Sequence, residues 1–128
     1  MSETKVERGK RIRAQVIGPL ESQPGSTGVK LPEPFVEFSL EFAWGTIWAR
    51  DVIPIKTRRF VTMALLAAQS RQRELAMHVT SALSNGCTLE EIREVCMHVT
   101  CYCGFPTAAD ALRTVEEVAS KIQPPKPL

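Results

Sequence analysis

The sequence predicts an all-α fold, a bundle of six helices. Apolar residues recur three and four positions apart, and no stretch shows the sustained alternation of a half-buried strand. Glycine and proline divide these periodic segments from one another. At 128 residues the chain has the size of a single domain and buries enough surface to fold without disulfides or metal. We therefore expect one domain over residues 1–128, with short flexible termini at about 1–5 and 122–128.

The first two helices are predicted from the residues at their ends. A helix-compatible segment runs from Lys5 to Ile17 and ends at Gly18-Pro19, where a glycine cap is followed by a residue that stops a helix. Residues 21–30 have the composition of a loop. A second helix opens near Pro32 or Pro34, because proline suits the first helical turn. Its spacing directs four aromatic side chains toward the core: Phe35, Phe38, Phe42 and Trp48.

The third and fourth helices follow in the middle of the chain. The third starts at Ile53-Pro54 and runs to about Gln69. Its centre, residues 60–68, is apolar on nearly every side, which is typical of a helix buried in a bundle or in an assembly. The fourth helix covers about Gln72 to Asn85 and stops at Gly86.

The fifth and sixth helices have the clearest boundaries. Residues 88–91, Thr-Leu-Glu-Glu, form a capping box, in which a hydroxyl and a carboxylate satisfy the free backbone groups of a helix start. The fifth helix runs from there to about Cys103, and Gly104-Phe105-Pro106 separates it from the sixth, which ends near Lys121. Residues 124–128 form a short, proline-rich extended tail.

Composition excludes several functional classes. Sixteen Lys and Arg against fourteen Asp and Glu leave a net charge of +2, which is too small for an electrostatic binder of nucleic acid or of a membrane surface. The longest nearly apolar run, residues 60–68, is about half of a membrane span. The first residues lack the apolar core of a secretory signal. We expect a cytoplasmic protein that binds neither nucleic acid nor membrane.

The four cysteines do not form a redox or zinc motif. They lie at positions 87, 96, 101 and 103, with no Cys-x-x-Cys. Cys101 and Cys103 diverge around a helix, so that they neither clamp a zinc ion nor close a disulfide readily. We expect reduced and mostly buried thiols. No dense cluster of ligands predicts a metal site, and no glycine-rich phosphate loop or Gly-x-Ser-x-Gly elbow is present.

Both histidines lie where they could transfer protons. Glu74 and His78 are four residues apart and therefore adjacent on one helical face, where a carboxylate orients an imidazole. His98 shares a face with Tyr102 one turn before the helix break, and Glu94 lies one turn before it. Each observation has a structural alternative: a surface Glu–His pair in the first case, and a core histidine with one polar partner in the second.

Two arginines and two tryptophans complete the candidate site. Arg50 and Arg58 flank the linker before the third helix, and each could clamp a carboxylate through two hydrogen bonds or remain solvated. Trp44 and Trp48 either belong to the core or form the wall of an apolar pocket. Arg59 is a further cation beside the same linker.

Several segments, taken in order, resemble the carboxymuconolactone decarboxylase family, and specifically its short, single-domain bacterial members. The resemblance extends from about Val6 to Val118. The segments that carry it are residues 42–50 (Phe-Ala-Trp-Gly-Thr-Ile-Trp-Ala-Arg), 56–58, 74–78 (Glu-Leu-Ala-Met-His), 82–86, 90–95 and 98–109. It implies an alkylhydroperoxidase D-like helical bundle that assembles as a homo-oligomer, often a hexamer.

The resemblance also implies a reaction. Family members convert 4-carboxymuconolactone to 3-oxoadipate enol-lactone and carbon dioxide, in the protocatechuate branch of the β-ketoadipate pathway of aromatic catabolism. The lactone accepts the electrons of the departing carboxylate, so that no cofactor is required. Glu74, His78 and His98 are then the candidate catalytic residues, and Arg50, Arg58, Trp44, Trp48 and Tyr102 the candidate substrate-binding residues.

Two features separate this chain from parts of the family. Related thiol peroxidases carry Cys-x-x-Cys before a histidine, whereas alignment on His78 places Arg71 and Glu74 at those positions. Residues 51–53 are Asp-Val-Ile, where family decarboxylases usually have Pro-Gly-Leu, so that an extra negative charge lies beside Arg50. Three alternatives therefore stay open: an enzyme acting on a different lactone acid, a peroxidase that uses Cys101 or Cys103, and a non-catalytic oligomeric binding protein.

Overall fold

The computed structural model describes residues 2–18 and 29–122, and this part of the chain contains helices and no strand. Its elements are α1 (Lys5–Ile17), α2 (Glu33–Ser39), a π-helix π1 (Leu40–Ile47), α3 (Ile55–Ala68), α4 (Gln72–Ser84), α5 (Leu89–Cys103) and α6 (Phe105–Ile122). The predicted all-α fold with six α-helices is confirmed. None of these helices is both long enough and apolar enough to cross a membrane.

Local hydrogen bonds explain where the helices begin and end. The capping box predicted at the start of α5 is present: the Glu91 amide donates to Thr88 Oγ1 at 3.0 Å, and the Thr88 amide donates to Glu91 Oε1 at 2.9 Å. A second box, between Thr4 and Glu7, starts α1 and was not predicted. Gly86 and Gly104 follow α4 and α5 with φ of 96° and 91°, a conformation that glycine adopts without strain.

Some sequence predictions concern residues outside the described ranges. Gly18 follows α1 as predicted, with φ of 91° and its amide donating to the Ala14 carbonyl at 3.1 Å. Pro19, most of the predicted loop at 21–30 and the predicted tail at 124–128 lie outside these ranges.

The chain divides into two compact units, Met1–Arg58 and Arg59–Leu128, here called the N-terminal and C-terminal units. In the N-terminal unit, α1 packs against π1 at two glycines. A Cβ atom on Gly9 would overlap the backbone carbonyl of Leu40, and one on Gly45 would overlap the carbonyl of Lys5. Glycine at both positions therefore lets the two backbones touch.

The C-terminal unit is built around an aliphatic core. Fully buried side chains from α3, α4, α5 and α6 form it, among them Met63, Leu75, Val79, Ile92, Cys96 and Val115. Polar contacts also link helices at the edge of this core. Thr114 donates to Gln72 Oε1 at 2.6 Å, joining α6 to α4, and the Arg93 guanidinium binds both Glu116 carboxylate oxygens, joining α5 to α6.

The prediction that Phe35, Phe38 and Phe42 face the core is wrong, since all three side chains are more than half exposed. For Phe42 the reason is the π-helix, whose hydrogen bonds join residues five apart. Phe35 and Phe38 lie in α2, which has no buried residue. The buried residues of π1 are Leu40 and Gly45, which are five apart, and the Trp48 amide donates to the Ala43 carbonyl at 2.8 Å. A prediction based on the α-helical period therefore chose the wrong face.

The apolar helix α3 is buried along a single stripe. Arg59, Met63 and Ala67, at intervals of four residues, are its buried residues, whereas Val61 and Leu65 are about half exposed. Within one chain, α3 is therefore not surrounded on all sides. Burial of its remaining face in an assembly stays a prediction.

Candidate functional site

The two arginines predicted to bind substrate, Arg50 and Arg58, occupy different environments. Arg50 is exposed, and its guanidinium makes no hydrogen bond or ion pair within the described residues. Arg58 Nη2 donates to the Arg50 backbone carbonyl at 3.2 Å, and Arg58 Nε is buried without a hydrogen-bond partner in the same ranges. Arg58 thus holds the backbone of Arg50, while the Arg50 guanidinium remains available to bind an anion.

The two tryptophans lie together on the same helical segment. The Trp44 and Trp48 rings stack with centroids 5.2 Å apart and planes at 26°. Both side chains are half-buried, which fits neither a fully buried core position nor a solvated one. Their predicted contact with substrate stays a prediction.

Arg50 also lines a cationic pocket that the sequence analysis did not identify. The cavity has a volume of about 240 Å³ and lies within the N-terminal unit. Its lining residues come from α1 and from π1 with the turn that follows it: Lys5, Arg8, Gly45, Thr46, Ala49 and Arg50. The basic side of α1 was visible in the sequence, but no local pattern indicated that it lies beside Arg50.

Glu74 and His78 differ in burial although they are one turn apart on α4. His78 is 7% exposed and lies on the face that carries Leu75, Val79 and Ala82 into the core. Glu74 is exposed, and its carboxylate makes no hydrogen bond or ion pair in the described part of the chain. The structure therefore holds an imidazole on the inner face of α4 and a carboxylate at the solvent side of the same turn.

His98 borders an open groove in the C-terminal unit, with a volume of about 610 Å³. Phe60 from α3 and five residues of α5 line it: Glu90, Glu91, Glu94, Val95 and His98. Glu94 and His98 were predicted to share a face from their spacing. Glu90 and Val95 follow the same helical spacing and were recognisable, whereas Phe60 comes from another helix and was not. Neither Glu74 nor His78 lines this groove.

Tyr102 extends the same side of α5 toward its end. Its ring lies 5.6 Å from the imidazole of His98, at an interplanar angle of 47°, and its side chain is 82% exposed. The predicted adjacency of His98 and Tyr102 is present. His98 is exposed, so that the alternative of a buried core histidine does not describe it in the single chain.

The cysteines are free thiols, as predicted, but only two of the four are buried. Cys87 and Cys96 are buried, and burial raises the pKa of the Cys96 thiol to about 11. Cys101 and Cys103 are exposed at the end of α5, so that the prediction of mostly buried thiols is wrong for this pair. The helix ends at Cys103, and its last turn lies beyond the packed core. Within the described ranges, no three His, Cys, Asp or Glu side chains converge as a metal-ligand set.

Comparison with known proteins identifies the family. The family model described as "Carboxymuconolactone decarboxylase family" matches residues 33–117. A 4-carboxymuconolactone decarboxylase of Acinetobacter baylyi is 33% identical over 117 residues, which is 91% of this chain and 87% of that protein. A nitrosuccinic acid decarboxylase of Metarhizium robertsii is 32% identical over 123 residues, which is 90% of this chain and 84% of the relative.

Both relatives are decarboxylases, which confirms the prediction of a carboxy-lyase. The matched residues contain every candidate site residue predicted from the sequence, from Trp44 to Tyr102. The chain belongs to the carboxymuconolactone decarboxylase family.

Proposed function

We propose that this enzyme converts 4-carboxymuconolactone to 3-oxoadipate enol-lactone and carbon dioxide, in the protocatechuate branch of aromatic catabolism. Similarity to the Acinetobacter decarboxylase over 91% of the chain supports this substrate. The structural observation that carries the proposal is the groove beside His98, since its volume of about 610 Å³ suits a small-molecule substrate. A cytoplasmic location stays a prediction.

The substrate itself supplies the electron sink. When the carboxylate on the γ carbon leaves, its bonding electrons move through the double bond into the lactone carbonyl. The product of this step is a delocalised dienolate, which is then protonated at the α carbon. The protein therefore has to hold the carboxylate that remains, stabilise negative charge on the lactone oxygen, and deliver a proton.

Arg50 is our candidate for holding the retained carboxylate. Arginine presents forked donors that match the two oxygens of a carboxylate. Of the two predicted arginines, Arg50 has the available guanidinium. Arg58 is a positioning residue, because it holds the Arg50 carbonyl at 3.2 Å.

The two imidazoles divide the remaining roles. His98 and its neighbour Tyr102 are accessible from solvent, and we assign to them substrate binding and stabilisation of the lactone oxyanion. We assign proton transfer to Glu74 and His78 on their spacing, since they lie one turn apart on α4. Trp44 and Trp48 are proposed as an apolar wall for the lactone ring.

These roles are tested by removing one group at a time. We expect His78→Gln and Glu74→Gln to lower kcat by about 10²- to 10⁴-fold, the usual contribution of a proton-transfer group. We expect His98→Gln to act mainly on kcat/KM, because it removes a binding contact. Glu117→Gln, which changes an exposed carboxylate on α6, is the matched control and should leave turnover unchanged. Full turnover by His78→Gln would contradict the assignment of His78.

The nitrosuccinic acid decarboxylase favours a second substrate class. Its identity to this chain, 32%, is close to the 33% of the 4-carboxymuconolactone decarboxylase. A nitro group, like a lactone carbonyl, can accept the electrons of an adjacent departing carboxylate. Asp51-Val52-Ile53, in place of the usual Pro-Gly-Leu, is the sequence feature that supports a changed substrate.

The two substrates are separated by measuring release of carbon dioxide from each, with loss of lactone ultraviolet absorbance as a second readout. We expect kcat/KM for 4-carboxymuconolactone to exceed that for nitrosuccinate at least about tenfold, a difference of about 1.4 kcal/mol in transition-state binding. A higher kcat/KM for nitrosuccinate would establish the second substrate class. If the enzyme turned over neither compound, both substrate proposals would be overturned.

We also propose a homo-oligomer, a hexamer by the family resemblance. Large apolar side chains remain exposed in the single chain, including a stacked pair, Phe38 and Phe42, with ring centroids 6.0 Å apart, and Val61 and Leu65 on α3. Covering such side chains is a usual reason for subunits to associate. Light scattering should give a mass several times the 14.2 kDa of one chain, and a monomer at micromolar concentration would contradict the proposal.

A further inference from the structure

The cationic pocket of the N-terminal unit has the chemistry of a carboxylate site. Three of its six lining residues, Lys5, Arg8 and Arg50, carry positive charge at neutral pH. The others are small or hydroxylated, so that they leave space and offer no competing charge. At about 240 Å³, the cavity is smaller than the 300–1,000 Å³ usual for sites that enclose a whole ligand. It therefore suits the charged end of a small acid.

Among the described residues, one acidic group, Glu3, forms an ion pair with these cations, and it shares its carboxylate with Arg11. Glu3 is held mainly by Arg11, whose Nε and Nη2 donate to its two carboxylate oxygens at 2.9 and 3.0 Å. The Arg8 contact to Glu3 is longer, at 3.5 Å, and Arg8 Nη1 donates to the Gly45 carbonyl at 3.4 Å. The side chains of Lys5 and Arg50 make no hydrogen bond or ion pair within residues 2–18 and 29–58.

Backbone contacts hold the positions from which two of these cations extend. Lys5 is the first residue of α1, and its carbonyl lies against Gly45 of π1, where a Cβ atom would not fit. Arg50 follows π1 directly, and its backbone is held by its own amide, which donates to the Ile47 carbonyl at 3.1 Å, and by Arg58. Because these backbone positions are held, binding of an anion has to order only the side chains.

We propose that this pocket binds the carboxylate group of a small organic acid, with Lys5 and Arg8 acting beside Arg50. The guanidinium groups supply forked donors that match the two carboxylate oxygens, and the Lys5 ammonium adds a point charge. The acid is either the substrate, through its retained carboxylate, or a separate small acid. Binding itself does not depend on the proposed reaction, whereas the identity of the acid does.

Binding is tested with succinate, a simple dicarboxylate, at constant ionic strength. We expect saturable changes in the amide resonances of Gly45 and Thr46 in ¹H–¹⁵N spectra, and in the fluorescence of the two tryptophans, both of which lie in π1 or directly after it. Lys5→Gln/Arg8→Gln should weaken the affinity about tenfold or more. Lys10→Gln is the matched control, because Lys10 is an exposed cation of α1 that does not line the pocket. Its affinity should stay within about twofold of wild type.

Two results would overturn the proposal: equal succinate affinity in the double variant, or equal binding of neutral succinamide by the wild-type protein. If the double variant is poorly folded, the single charge reversal Lys5→Glu decides, since the Lys5 side chain is exposed. It should also abolish saturable binding, and unchanged binding by this variant would equally refute the site.

The source of the acid is decided by activity. A matching fall in kcat/KM of the double variant means that the substrate carboxylate occupies the pocket. Unchanged kcat/KM with lost succinate binding means that the pocket serves a separate acid. If the wild-type enzyme decarboxylates neither substrate, the proposed reaction is wrong, but succinate can still be shown to bind in the pocket. Failure of the reaction and failure of the binding site are therefore distinguishable.

Discussion

The two units carry cavities of opposite charge. The pocket of the N-terminal unit is lined by Lys5, Arg8 and Arg50, whereas three carboxylates and His98 line the groove of the C-terminal unit. The net charge of +2 for the whole chain conceals this division. A decarboxylase has to bind an anion and also to manage a proton, and these tasks favour opposite local charges.

The two cavities also rest on different supports. The cationic pocket depends on the contact of α1 and π1 at Gly9 and Gly45, where two backbones meet without side chains between them. The groove beside His98 lies on the outer side of α5. The inner side of this helix carries Ile92, Cys96 and Val99 into an aliphatic core. Substitutions should therefore damage the first cavity by adding atoms and the second by removing them.

The largest expected effect comes from shortening a side chain beneath the groove. Ile92 is fully buried on α5, so that Ile92→Ala removes packed carbon atoms and leaves a cavity. We expect a loss of about 3 kcal/mol in the free energy of unfolding, measured by urea titration with circular dichroism. The control is Met97→Ala on the same helix, where the side chain is 52% exposed and the expected loss is under about 1 kcal/mol. Equal losses for the two variants would show that α5 has no distinct buried face.

A smaller effect is expected from adding one carbon beneath the cationic pocket. In Gly9→Ala, the new methyl group overlaps the Leu40 carbonyl, so that α1 has to move away from π1. We expect a net loss of about 2 kcal/mol, although alanine favours a helix more than glycine does. Tryptophan fluorescence during urea titration is the suitable measurement, because both tryptophans lie in this unit. Succinate affinity should fall as well.

Gly86→Ala is the contrasting variant. Gly86 has open space around its Cβ position but a φ of 96°, so that alanine there is strained by conformation alone, at about 1 kcal/mol. It should leave succinate affinity unchanged, because Gly86 lies outside the N-terminal unit. If Gly9→Ala were as stable as wild type, the close approach of α1 and π1 would not be a support of the pocket.

The same contrast explains what the sequence could predict of the fold. The start of α5 was predictable because Thr88 and Glu91 satisfy each other within one turn, and the ends of α4 and α5 because glycine follows them. The π-helix was not, because its five-residue spacing places Leu40 and Gly45 against α1, which is distant in sequence. Extrapolating an α-helical period across that segment assigned Phe42 to the buried side, although its side chain is more than half exposed.

The candidate sites follow the same rule. The face of α5 that carries Glu94, His98 and Tyr102 was predictable, since one helix supplies all three at intervals of four residues. Phe60 in the groove, and Lys5 and Arg8 beside Arg50, come from other helices. Their positions depend on packing between segments far apart in the chain, and a single sequence contains no local signal for that.

A pH-dependent effect also distinguishes the units, because all four cysteines lie in the C-terminal unit. Burial raises the pKa of Cys96 from 9.0 to about 11. Below pH 9 the thiol is protonated in both the folded and the unfolded chain and contributes no pH dependence. Between pH 9 and 11 the unfolded chain loses this proton first, so that the free energy of unfolding falls as pH rises.

By pH 10, this linkage should remove about 1.4 kcal/mol from the stability of the wild-type protein. Urea titrations at pH 8 and pH 10 measure this fall in the free energy of unfolding. In Cys96→Ala the fall should be smaller by that amount, because the variant has no thiol to ionise at this position. The variant also starts from a lower stability at pH 8, because a buried side chain has been shortened. Cys101→Ala is the matched control, since its thiol is exposed on the same helix, and it should keep the full wild-type dependence. If Cys96→Ala and wild type lost the same stability between pH 8 and pH 10, the core around α5 would already admit water. The groove would then not rest on a dry aliphatic core, and the contrast with the backbone contact of α1 and π1 would fail.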